Sequence, residues 1–241
     1  MKHLGDDDGI RIVELKESVL ADNEKDAAAL RAALKASGIF LINLMSGPGS
    51  GKTSTLLALD RYFREDLKWG VMEADIDSDV DAVTLQSAGI PAIQLHTGGM
   101  CHLSAEMTQQ GLNAFDRNDL DLIILENIGN LVCPAEFDTG AALNMTILSV
   151  PEGDDKPAKY PLMYRECSVL AVNKTDTLPV FDFDREKLER DVRSLNPDIK
   201  IFYISAKTGE GVEKLADHLL GQVRMYQKGI DHGKCQSNRD S

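Results

Sequence analysis

From position 39 onward, short apolar runs alternate with longer amphipathic segments, and this rhythm is the strongest signal in the chain. IFLINLM, Ile39 to Met45, is a continuous apolar run of strand length with one Asn. That is the pattern of a strand buried on both faces of a parallel sheet. VMEAD (Val71 to Asp75), AIQL (Ala92 to Leu95), DLIILE (Asp121 to Glu126), the stretch near Asn144 to Val150, SVLAVNK (Ser168 to Lys174) and KIFYIS (Lys200 to Ser205) are further strands. Between them the spacing predicts helices over Thr53 to Arg64, Asp79 to Ser87, Leu103 to Phe115, Asp184 to Ser194 and Gly211 to Tyr226. Ahead of the first strand, DNEKDAAALRAALK (Asp22 to Lys35) is rich in helix formers, starts with acids, and has Gly38 where a helix C-cap would stand. Strands alternating with helices predict an α/β fold: a doubly wound, mostly parallel sheet flanked by helices, with ligands beyond the carboxyl ends of the strands. The chain divides into an N-terminal segment and leading helix (1–38), the sheet domain (39–228), and a tail after Lys228 (229–241) that reads as flexible.

Bulk composition narrows the partners. The 241 residues suffice for one sizeable core, and aromatics at 5% make it an aliphatic one. A net charge of −13, from 39 acidic and 26 basic side chains, argues against nucleic acid as a partner. No apolar run is long enough to span a bilayer, and MKHLGDDDGI lacks the basic start of a secretory signal, so the expected location is cytoplasmic, with no membrane partner. In a reducing compartment the four cysteines do not form a disulfide framework. Cys167, preceding SVLAV, reads as core, and Cys235 in the tail as incidental.

The first strand runs directly into SGPGSGKTST, Ser46 to Thr55, a strand, glycine-rich turn and helix start in the order a phosphate loop requires. Gly47, Gly49 and Gly51 let backbone N–H groups, with those of Ser50 and Ser54, converge on phosphate oxygens at a helix N-terminus. Lys52 would reach the β and γ phosphates, and the Thr53 hydroxyl would bind Mg²⁺. One position departs from the usual pattern: Ser46 stands where a glycine is customary. These residues predict a P-loop nucleotide triphosphatase.

NKTD, Asn173 to Asp176, follows a later buried strand. The Asp176 carboxylate can accept two hydrogen bonds from the guanine edge, a pair of donors that adenine lacks. Asn173 would tie this segment to the phosphate loop, and the stem of Lys174 would cover one face of the base. At the end of the next strand SAKTGEG (Ser205 to Gly211) resembles the last guanine-binding turn of GTPases, which places Ser205, Ala206 and Lys207 at the base, with the N–H near Ala206 on the guanine oxygen. Together these elements select GTP.

EADIDSDVDA (Glu73 to Ala82), GIPAIQLHTGGMCHLSAEM (Gly89 to Met107), ENIGNLVCPAEFD (Glu126 to Asp138) and KYPLMYRECSVLAVNKTD (Lys159 to Asp176) closely resemble HypB, the SIMIBI-class nickel-insertion GTPases of NiFe hydrogenase maturation. The resemblance spans about Ile39 to Tyr226. It implies slow hydrolysis of GTP to GDP and phosphate, a GTP-dependent homodimer, and hydrogenase maturation proteins and the hydrogenase large subunit as partners. Glu126 stands where GTPases usually carry the Mg²⁺-side aspartate, and Asp75 ends the strand where similar proteins place a carboxylate near Mg²⁺ or the attacking water. Lys52, Asp75 and Glu126 are thus the expected catalytic residues, and Thr53, Asp75 and Glu126 the expected magnesium set. Lys159 lies in a segment that such dimers use near the partner's nucleotide. Neither an amino-terminal cysteine motif nor a histidine-rich tract precedes Cys101.

Cys101 and His102 are adjacent, their side chains diverge, and they cannot complete a metal shell alone. A second copy, or Cys133 from the segment that should respond to nucleotide, would supply the rest. Such a set of sulfur and nitrogen ligands suits tetrahedral Zn²⁺ or square-planar Ni²⁺, and the residues alone do not name the ion. Two further readings of the same chain are a urease-type nickel accessory GTPase and a regulatory GTPase without metal delivery.

Overall fold

The computed structural model describes residues 11–14, 23–75, 78–115 and 120–237. Its strands are β1 (Arg11–Glu14), β2 (Phe40–Ser46), β3 (Trp69–Asp75), β4 (Ala92–His96), β5 (Leu122–Gly129), β6 (Leu143–Ser149), β7 (Val169–Asn173) and β8 (Lys200–Tyr203). They form one eight-stranded sheet in the order β1-β4-β3-β5-β2-β6-β7-β8, and every pairing is parallel. The principal helices are α1 (Asn23–Ser37), α2 (Lys52–Phe63), α3 (Val80–Ser87) and α4 (Ala105–Ala114). The short α5 (Cys133–Glu136), α6 (Lys156–Lys159) and α7 (Pro161–Glu166) follow, then α8 (Arg185–Leu195) and α9 (Val212–Ser237).

Helices cover both faces, which is why β2 shows no polar alternation: every residue of Phe40–Ser46 is buried. Phe40, Ile42 and Leu44 pack with Leu56, Leu59 and Phe63 of α2 and with Leu215, Leu219 and Val223 of α9. Leu41 points the opposite way, toward Leu30 and Leu34 of α1 and Leu112 of α4. Further along the sheet Met45 joins Tyr164, Cys167 and Leu188, so Cys167 is a core residue as its sequence context predicts. Burial of each such Leu or Ile contributes about 1.5–3 kcal/mol.

The structure differs from the sequence pattern in three places. The strand β1 falls inside a stretch read as an N-terminal segment; RIVE is too short to show a period and pairs only at the sheet edge, against Ile93 to His96. Residues 1–10 and 15–22, which complete that segment, lie outside the described residues. The helix α9 continues to Ser237, through most of the tail predicted to be flexible, because lengthening a formed helix costs no new nucleation. The short α5, α6 and α7, each with Pro at its first turn, are shorter than a periodicity window can detect.

Because all strands run one way, the segments after β2, β3, β4, β5, β6, β7 and β8 emerge at one edge of the sheet. The functional residues lie there.

Candidate functional site

The segment after β2 folds as a phosphate loop. Gly51 adopts φ +96, and a Cβ there would come within 2.6 Å of Asn173 Nδ2, so only glycine fits. The helix α2 starts at Lys52 with no acid in its first turn, leaving its N-terminal amides and dipole for an anion. Ser46, the departure from the usual glycine, is accommodated by a chain of hydroxyls. Ser50 Oγ donates to Ser46 Oγ at 2.7 Å, and Ser46 Oγ donates to the Gly47 carbonyl at 2.8 Å. Both serines are buried, so these bonds satisfy groups that water cannot reach.

The segment after β7 is tied to that loop. Asn173 Nδ2 donates to the Ser50 carbonyl at 3.0 Å, while Asn173 Oδ1 accepts from the Lys174 N–H at 2.7 Å and the Ala206 N–H at 3.1 Å. One buried amide thus holds together the phosphate loop, NKTD and SAKTGEG. Lys174 has a left-handed backbone (φ 62), and its Nζ donates to the Gly49 carbonyl at 2.7 Å. Ser205 Oγ donates to Asp176 Oδ1 at 2.7 Å and accepts from the Thr208 N–H at 3.2 Å, which orients the carboxylate. The Ala206 N–H, expected on a guanine oxygen, is here engaged by Asn173. Ser54 and Lys207 are exposed at the rim.

Where β3 and β5 pair lies an acidic centre. Glu126, 1% exposed, accepts from Thr53 Oγ1 at 3.2 Å through Oε1. Burial pushes its carboxyl up to about 7; the Lys52 ammonium opposes this, the Asp81 charge adds to it and the Thr53 bond opposes it. Glu73, also buried, is pushed up to about 8, first by burial and then by the neighbouring Glu126 charge. Carboxylate oxygens of Glu73, Asp81 and Glu126 lie within 4.8 Å of one another. The structure therefore brings Thr53 and Glu126 together as predicted. Asp75 does not join that cluster among the described residues; its Oδ1 accepts from the Ser78 N–H at 2.9 Å, at the entry to α3. Thr53 and the buried Glu126 carboxylate fit a hard cation, since an uncompensated carboxylate there is costly and oxygen donors suit Mg²⁺.

The two sulfurs meet within one chain, while the His102 ring lies against Phe137. The Cys133 thiol contacts the Cys101 sulfur, and this bond, then burial, raises its pKa. Asn130 Nδ2 lies 3.6 Å from Cys133 Sγ, and the His102 ring stacks on Phe137 with centroids 3.6 Å apart and planes 13° from parallel. The loop after β4 and the segment after β5 are thus packed side by side. The Cys235 side chain lies outside the described residues. Lys159, exposed at the end of α6, pairs with Asp155 Oδ2 at 2.5 Å.

Sequence reasoning missed Glu73, Asp81 and Glu152. Glu152 Oε2 accepts from both N and Oγ of Ser149 at 2.7 Å, and its Oε1 abuts Gly47, where a Cβ would come within 2.5 Å. The capping-box spacing of SVPE was a legible signal for that residue. Glu73 and Asp81 carried a weaker one, because only the pairing of β3 with β5 sets Glu73 opposite Glu126.

Comparison with known proteins adds to this geometry. Residues 40–203 match the family described as CobW/HypB/UreG, nucleotide-binding domain. The chain is 43% identical over 202 residues to the hydrogenase maturation factor HypB of Azotobacter chroococcum mcd 1, covering 84% of this chain and 66% of that protein. The crystal structure of HypB from Helicobacter pylori in complex with nickel superposes with a TM-score of 0.81 at 37% identity, over 85% of this chain and 96% of the other. HypB from Archaeoglobus fulgidus gives a TM-score of 0.78 at 36% identity, over 85% and 100%.

Proposed function

The chain belongs to the CobW/HypB/UreG family, within its HypB branch of hydrogenase maturation factors with a P-loop GTPase fold, and from that premise we propose that it is a GTP-hydrolysing nickel metallochaperone. In this reading it inserts nickel during NiFe hydrogenase maturation, working with other maturation proteins and the hydrogenase large subunit in the cytoplasm.

One observation carries the proposal. The strand β5 bears Glu126, bonded to the Thr53 hydroxyl at the phosphate loop, and leads directly to Cys133, in contact with Cys101. A change at the γ-phosphate acting on Glu126 would pass along one rigid element to the sulfur ligands.

Lys52 would neutralise the β and γ phosphates, the Gly47–Thr53 amides would cradle them, and Asp176 would read guanine. Mg²⁺ would be held by Thr53 with Glu126, and when bound it would supply charge neutralisation at the phosphates. Asp75 and Glu126 would orient the attacking water. Cys101, His102 and Cys133 would take Ni²⁺ as cargo, and the same donors accept Zn²⁺. Two GTP-bound copies paired across the nucleotide face would add a second Cys101 and His102, and would bring Lys159 to the partner's nucleotide.

The test is a matrix of nickel against nucleotide, with metal affinity and particle mass measured in each condition. Ni²⁺ affinity should change between GTP-analogue and GDP states, together with a monomer-to-dimer shift. Cys101→Ala should lose nickel while still binding GTP. Unchanged nickel binding in that variant, or a monomer in every condition, would overturn the reading.

A further inference from the structure

The parallel register sets Glu73 on β3 directly opposite Glu126 on β5, at the carboxyl end of the sheet. The two side chains are 4% and 1% exposed, and like charges opposite one another in a sheet repel. Neither carboxylate is fully anchored: Gln94 Nε2 donates to the Glu73 main-chain carbonyl at 3.2 Å, its amide lowering the cost of the adjoining carboxylate, and Thr53 donates to Glu126 Oε1. The remaining oxygens, Glu73 Oε2 and Glu126 Oε2, are shut off from solvent and have no hydrogen-bond partner. Buried carboxylate oxygens in that condition are rare, because the desolvation cost is uncompensated.

Asp81, in the first turn of α3, brings a third carboxylate to the same point. One oxygen from each of the three lies within 4.8 Å of the others. That is the span expected of oxygens around one ion at metal–oxygen distances of about 2.1–2.4 Å.

We propose that Glu73, Asp81 and Glu126 form a divalent-cation site that fills without nucleotide and is separate from the sulfur and imidazole set. An all-oxygen donor set selects hard ions, Mg²⁺ or Mn²⁺, over the thiophilic ions that Cys101 and Cys133 suit. Glu126 then serves two neighbours, one oxygen toward Thr53 and the other toward this ion. The ion also pins α3 to the centre of the sheet before any triphosphate arrives. The inference stands independently of the nickel reading.

The experiment is Mn²⁺ titration followed by electron paramagnetic resonance. It uses the full, nucleotide-free chain carrying Cys101→Ser and Cys133→Ser, so that no thiolate competes. One Mn²⁺ per chain is expected. Asp81→Asn, at an exposed position, should weaken it by about tenfold or more, and Glu73→Gln at least as much. Circular dichroism melts verify that each variant is folded. Mn²⁺ bound only after GTP is added would assign the ion to the nucleotide and overturn the proposal. Binding indifferent to a folded Asp81→Asn would overturn it too, as would no binding, which leaves a shared proton as the occupant of the acid pair.

Discussion

Replacing Asn173 with alanine tests how far one side chain holds the nucleotide face together. Asn173 is 1% exposed, and its amide makes three hydrogen bonds: to the Ser50 carbonyl at 3.0 Å, and from the N–H groups of Lys174 at 2.7 Å and Ala206 at 3.1 Å. A typical net hydrogen bond is worth about 1 kcal/mol, so three give about 3 kcal/mol. Leaving their partners unpaired in a buried setting costs about 1–3 kcal/mol each, less whatever entering water recovers. A loss of about 3–5 kcal/mol is therefore expected for Asn173→Ala, a large share of the ~5–15 kcal/mol of a whole domain. Urea unfolding of the nucleotide-free protein measures it, with an unchanged m-value showing that the unfolded state is not at issue. Fluorescent GDP binding provides the second readout. Affinity should fall about tenfold or more, because Lys174 and the SAKTGEG turn lose their common anchor. A stability loss under about 1 kcal/mol with intact GDP affinity would refute the argument and show that the three segments are held in register by other contacts.

Two further outcomes follow from the same structure. In chelator-treated protein, Glu73 and Glu126 titrate near 8 and 7, above the ordinary 4.5, so the native state binds protons that the unfolded state has already released; urea midpoints should fall as pH rises from 4.5 through 8, and Glu73→Gln should flatten the decline. Stability rising over that window would contradict the assignment. Gly211 adopts φ +72, and a Cβ there would come within 2.1 Å of the Tyr203 carbonyl oxygen, so Gly211→Ala should cost about 3 kcal/mol or more; urea unfolding indistinguishable from the parent would refute this.

What the amino-acid order discloses depends on how local the signal is. The phosphate loop was legible because Gly51, Lys52 and Thr53 carry their chemistry in consecutive positions after an unbroken apolar strand. NKTD was legible for the same reason, and the anchoring role expected of Asn173 appears as the 3.0 Å bond to Ser50. Glu73 was hidden because its partner is 53 positions away in sequence and becomes a neighbour only through the β3–β5 pairing, which strand patterns alone do not order. β1 was hidden because four residues hold too few apolar positions to show a period. The approach of Cys101 to Cys133 lies between these cases: the residue types suggested it, and it arises only where the loop after β4 packs beside the segment after β5.

The order of strands also governs how the chain can be made. β2 lies between β5 and β6, so the strand that launches the phosphate loop has no hydrogen-bonded neighbour until Leu122 and the residues after it exist, and lacks its second until Leu143–Ser149 have followed. At a synthesis rate of about 5–20 residues per second, the nascent FLINLMS segment waits roughly 4–17 s on the ribosome with its ladder open on both sides. A nucleotide finds no complete cradle before most of the polypeptide has emerged, because Asn173 and Ala206 join the phosphate loop last.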